Sequence, residues 1–141
     1  MSDAGDTHGP RGLDLLLFSV GGVHFGVDAE QVEGTFSFTG ESDDLFRFHR
    51  EMAYGDDAVT YAEPVVIGIK TGDSQEYRVI IDMMEDVAGI VADDIHPFPP
   101  LVEPFALRKG MWGIVVKGDR MILLVDFLRL LKERKAVQGS V

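Results

Sequence analysis

Gly110-Met111-Trp112-Gly113-Ile114-Val115-Val116-Lys117-Gly118-Asp119-Arg120-Met121-Ile122-Leu123-Leu124-Val125-Asp126-Phe127-Leu128-Arg129-Leu130-Leu131 is the stretch that decides the fold. Ile114 to Val116 and Met121 to Val125 are β-branched or large apolar runs. The break between them, Lys117 to Arg120, is short, polar and Gly-bearing, so the stretch reads as a β-hairpin. Asp126 closes the second strand where its carboxylate can cap the free N–H groups of a following turn. Phe127, Leu130 and Leu131 recur at helical spacing, and Arg129, Lys132, Arg134 and Lys135 put positive charge near that helix's negative end. The predicted order is strand, tight turn, strand, helix.

Moving outward, Gly and Pro cut the rest of the chain into short apolar runs, the pattern of a mostly β protein built from small barrels. Leu15 to Val20 and Val23 to Val27 pair across Gly21-Gly22. Pro64 opens Val65-Val66-Ile67-Gly68-Ile69-Lys70, which turns through residues 71–76 into Tyr77 to Asp82. Both hairpins end in an Asp followed by Val and Gly, Asp28…Val32…Gly34 and Asp82…Val87…Gly89, with spacings one residue apart, a faint sign of duplication. Between Gly34 and Glu63 the pattern changes. Leu45, Phe48, His49 and Met52 share one helical face with Asp43 or Asp44 as a cap, which predicts a short helix or an irregular loop, and Val59 and Tyr61 predict a brief strand.

The chain has 141 residues, 45% of them apolar, enough for one domain with a real core and too few for a second. Residues 13–135 form that domain, with a divergent segment at 35–63. Residues 1–12 are expected to be a disordered tail and 136–141 a C-terminal tail. There is no cysteine, so no disulfide, thiolate metal site or thiol nucleophile is available, as in a reducing cytoplasm. The N-terminus lacks a secretory apolar core, and no run is long enough to insert in a membrane. A formal net charge of −11 argues against nucleic acid, whose binding needs Lys and Arg to displace counterions. Residues 82–103 carry Asp82, Glu85, Asp86, Asp93, Asp94 and Glu103 with no Lys or Arg, whereas Arg108 to Lys135 is mostly basic; these are solvated faces, or surfaces that steer different partners.

The closing hairpin and helix closely resemble the end of CheW-like domains, the coupling modules of bacterial chemosensory arrays. Leu15 to Val32 resembles that family's opening hairpin through its Gly-Val-Asp-x-x-x-Val ending, and Tyr77 to Ile90 with Asp94-Ile95-His96-Pro97-Phe98-Pro99-Pro100 resembles its strand-Asp-strand and Pro-rich connection. Together they cover most of residues 13 to 132. The resemblance implies two intertwined SH3-like β-barrels with a short C-terminal helix; the residues alone equally allow another small β-barrel with a terminal helix. It also implies a non-catalytic cytoplasmic adaptor that binds a chemosensory histidine kinase, a chemoreceptor, or both, through barrel surfaces. Receptor contact in the family uses an Arg-bearing turn absent from residues 35–63 and a Glu two residues after the Val of the opening hairpin. Here Val32 and Glu33 are followed by Gly34. A divergent module that self-associates as a homo-oligomer, or serves a protein outside such arrays, is the alternative.

No cofactor or catalytic residue is expected. His8, His24, His49 and His96 are scattered without the paired spacing of a zinc site. His49 and Glu51 have no Pro-Cys-x-x-Cys to complete a deaminase signature. Asp43-Asp44, Asp56-Asp57 and Asp93-Asp94 lack a calcium-loop context and are explained by turn capping; a carboxylate-based metal-dependent hydrolase using Asp56, Asp57 and His49 is the least supported reading. The candidate protein-binding residues are Val32, Glu33, Phe98, Leu101, Phe105 and Trp112. Pro97 and Pro99-Pro100 predict an extended, presented backbone, on which Phe98, Leu101 and Phe105 with Trp112 form an apolar patch or pack across the junction between barrels.

Overall fold

The computed structural model describes residues 12–40, 45–48, 61–72 and 77–130. The strands are β1 (Leu13–Val20), β2 (Val23–Asp28), β3 (Val32–Ser37), β4 (Leu45–Arg47), β5 (Val65–Ile69), β6 (Tyr77–Ile81), β7 (Met84–Ile90), β8 (Ile95–His96), β9 (Met111–Lys117) and β10 (Arg120–Val125). One α-helix, α1 (Glu103–Arg108), precedes β9, and residues 127–130 are helical after β10. The protein is mostly β. Two sheets result: a six-stranded one in the order β7-β1-β2-β10-β9-β8, and a four-stranded one in the order β3-β5-β6-β4. No helix among the described residues is long and apolar enough to cross a membrane.

The unbroken apolar run in β1 follows from its position. Successive side chains in a strand point to opposite faces, and both faces of β1 are covered. Leu16, Phe18 and Val20 join the core between the two sheets, with Phe25, Val27, Ile67, Val79 and Ile81. Leu15 and Leu17 join a second cluster with Ala88, Ile90, Val115, Ile122 and Leu124, all on the six-stranded sheet. That sheet rolls around the second cluster. In a flat sheet β7 and β10, three strand spacings apart, would lie about 14 Å from each other. Instead Arg120 of β10 reaches Glu85 of β7 with its Nη1 at 3.4 Å from both carboxylate oxygens, and His24 Nδ1 of β2 sits 3.4 Å from Glu85 Oε2.

The main core is aromatic at its centre. Phe48 is fully buried and meets three rings edge-on: Phe25 at 4.6 Å, Phe18 at 5.1 Å and Phe127 at 5.8 Å between centroids. Edge-to-face contact aligns the positive ring edge with the negative ring face and adds to the gain from burial.

One sequence expectation is corrected. Leu45 to Arg47 is not helical; it pairs parallel with Arg78 to Ile80 of β6 as an edge strand, whose backbone groups find partners there that an isolated turn could not offer. Residues 103–108 form a helix, with Pro104 in the first turn, where its missing N–H costs nothing, while Pro97 to Pro99 stay outside it. Phe48, of the same expected helical face, is helical, while His49 and Met52 lie outside the described residues, as do Val59 and residues 1–11 and 131–141.

The two aspartates that suggested a duplication do different work. Asp28 Oδ1 accepts the Glu30 N–H at 2.9 Å, capping the 3-10 turn Ala29–Gln31. Asp82 is buried, and its two oxygens accept the backbone N–H groups of Ala62 and Glu63, fastening that loop where the chain leaves the four-stranded sheet. Met83, next in the chain, takes a positive φ of 47° to turn into β7. Asp82→Ala should therefore lower unfolding stability by roughly 2–4 kcal/mol, since two backbone donors lose a charged acceptor. Asp82→Asn, which keeps one oxygen, should lose less; urea titration of both variants checks the order.

Candidate protein-docking surfaces

The segment from Pro97 to Lys109 presents one apolar patch. Val102 and Glu103 N–H groups both donate to the Pro99 carbonyl at 2.9 Å, which folds the Pro-rich stretch into the start of α1. Side chains of this segment divide between inside and outside. Ala106 is buried and Phe98 is 9% exposed, both turned inward, whereas Leu101 is 88% exposed and Phe105 60%. Val102 is exposed beside them, and the Arg108 guanidinium lies 4.8 Å from the centre of the Phe105 ring. Large apolar side chains left this open on a short, rigid element are the usual signature of a contact surface. Trp112 is half-buried and packs against the second cluster rather than joining the exposed patch.

A second surface lies on the four-stranded sheet. Val32 is half-buried against the main core, and Glu33 is exposed beside it. Gly34, Gly68 and Arg78 stand opposite one another across β3, β5 and β6. The ring of Phe36 fills the space that the glycines leave: a methyl group on Gly68 would come within 3.2 Å of it and 3.6 Å of the Glu33 carboxylate. Arg78 places its guanidinium 4.9 Å above the same ring. An aromatic ring laid over strand glycines restores the packing they lack. Phe36 and Arg78 escaped the sequence reading; the alternation in Thr35-Phe36-Ser37-Phe38 is the signal that marks a strand there.

The six residues singled out by sequence thus separate. Leu101 and Phe105 are both exposed, Phe98 is buried, Trp112 packs on the second cluster, and Val32 with Glu33 belongs to the other sheet.

Among the described residues no group of three or more His, Asp or Glu side chains is arranged to hold a metal ion. His24 pairs with Glu85, and Asp94 accepts the Val91 N–H at 3.0 Å as a turn cap. His49, Asp56 and Asp57 lie outside the described residues.

No family model matches the chain. A curated relative, the chemotaxis protein CheW of Klebsiella aerogenes, is 22% identical over an alignment that covers 88% of this chain and 84% of that protein. Among solved structures, the scaffolding protein TtCheW from Thermoanaerobacter tengcongensis superposes with a TM-score of 0.65 at 16% identity, covering 87% of this chain and 90% of that one. The mostly β chain with its two sheets is thus similar in sequence to CheW and in fold to TtCheW.

Proposed function

We propose that this protein is a non-catalytic adaptor of bacterial chemosensory signalling, working in the cytoplasm and binding a histidine kinase, a chemoreceptor or both through the outer surfaces of its sheets. The observation that carries the reading is the likeness to CheW over nearly nine-tenths of the chain. On this reading the two sheets are the family's two SH3-like barrels. Leu101, in the turn before α1, and Phe105, on it, are the anchors of one docking surface, since large apolar side chains at the centre of an interface are the type that dominates binding energy.

Titration with the regulatory domain of a chemosensory histidine kinase from the same organism tests this. Saturable binding is expected, and its absence at high micromolar concentration would overturn the adaptor reading. The double variant Leu101→Asp with Phe105→Ser should weaken that binding about tenfold or more while leaving the urea midpoint unchanged, because both side chains are exposed. Unchanged binding by the double variant would move the docking surface elsewhere.

A further inference from the structure

Segments remote in the chain meet at Gln31. This residue ends the 3-10 turn through which the six-stranded sheet passes into β3 of the four-stranded one. Its backbone carbonyl accepts the Lys70 N–H at 2.8 Å, just beyond β5. Its side-chain nitrogen donates to Asp126 Oδ1 at 2.9 Å, and its side-chain oxygen accepts the Phe127 N–H at 2.9 Å. Asp126 Oδ1 also accepts the Arg129 N–H at 3.1 Å. Arg129 then turns back, and its Nε donates to the Leu107 carbonyl at 2.7 Å in the last turn of α1. An unbroken series of hydrogen bonds therefore runs from the start of β3 to α1.

The residue types suit the task. A Gln head offers both a donor and an acceptor, so one side chain can serve the Asp126 carboxylate and the Phe127 N–H together. Lys at position 31 would donate only, Asp would repel Asp126, and Leu would take the acceptor from the Phe127 N–H and one of two donors from Asp126 Oδ1. Arg129 adds a fixed positive group at the carbonyl end of α1, where helix geometry leaves acceptors unpaired and the local charge negative. Val32 follows Gln31 directly at one end of the series, and the helix beside Leu101 and Phe105 stands at the other.

We propose that Gln31, Asp126 and Arg129 form a positioning relay that sets α1 against β3 and so, taking the adaptor reading as given, fixes the distance and angle between its two docking surfaces. The relay works through the backbone elements it holds; Gln31 and Arg129 are positioning residues, and neither has to touch a partner.

The native chain has no cysteine, which makes the test direct. Thr35→Cys on β3 and Glu103→Cys on α1, both at exposed positions, take nitroxide labels for a pulsed electron-spin distance measurement on the full chain. The parent pair should give one narrow distance distribution. Adding Gln31→Leu or Arg129→Leu should abolish it in favour of a broad one, and Arg129→Lys, which retains a donor for the Leu107 carbonyl, should preserve it. Arg120→Leu removes the same charge at another exposed site, the partner of Glu85, and should leave the distribution narrow. Distributions in Gln31→Leu and Arg129→Leu as narrow as the parent's would overturn the relay. If Gln31→Leu does not fold, the exposed Arg129 arm decides alone. Because no kinase is present, this outcome is independent of the titration that tests the adaptor reading.

Discussion

Phe48→Ala should destabilise the protein by about 3–5 kcal/mol, the cost of truncating a fully buried aromatic residue into a cavity. The value belongs at the upper end of that range for a geometric reason. Phe48 stands edge-on to Phe18, Phe25 and Phe127 at once, so its removal breaks three ring contacts and leaves three other rings facing empty space. Urea unfolding followed by Trp112 fluorescence measures the loss. A change below about 1 kcal/mol, the scale of an ordinary surface substitution at its most costly, would show that the ring is not the keystone of the core. Phe48→Leu, which refills part of the volume, should recover some of the stability and none of the edge-to-face contribution.

Gly110→Ala is the second large effect, and it acts through backbone geometry. Gly110 has φ of 78°, and a Cβ there would lie 3.0 Å from the Asp126 carbonyl oxygen and 3.2 Å from Leu130 Cβ. The left-handed conformation alone costs a non-Gly residue roughly 1–2 kcal/mol. The contact with Asp126 adds to this because the Gly110 carbonyl accepts the Asp126 N–H at 2.7 Å, so relief by backbone movement would loosen that bond. A total of about 2–4 kcal/mol is expected, read from thermal and urea unfolding. Gly118→Ala is the informative comparison: its φ is 66° but nothing lies within 4 Å of the added methyl, so only the conformational part should appear.

The closing hairpin was legible because its signals are local. Alternating apolar runs, a Gly-bearing turn and a capping Asp sit within a few residues of one another, and Asp126 does accept the Arg129 N–H. The opening run from Leu15 was legible as a strand, but the reason for its lack of alternation, cover on both faces, needed the tertiary structure. Leu45 to Arg47 was misread because three residues carry no usable period, and their strand exists only through parallel pairing with β6 more than thirty residues away. The site was partly legible for the same reason. Pro97 and Pro99 drew attention to Leu101 and Phe105, yet local sequence could not show that Phe98 turns inward or that Trp112 backs the second cluster. Alternation around Phe36 marks its strand but not its pairing with Arg78, and the Gln31 to Asp126 bond, spanning 95 positions, left no local signal.

The strand order of the six-stranded sheet has a bearing on how the protein is made. Its inner strands β1 and β2 come first in the chain, while the parallel neighbour of β2 is β10, about a hundred residues later, with the whole four-stranded sheet between them. On the ribosome, then, the first hairpin must wait with one edge of β2 uncovered until β10 has emerged. The middle sheet, made of strands nearer in sequence, can close before it. Such late long-range closure slows folding and exposes sticky edges in the interval. Synthesis rate and chaperone supply should therefore influence the yield of this protein.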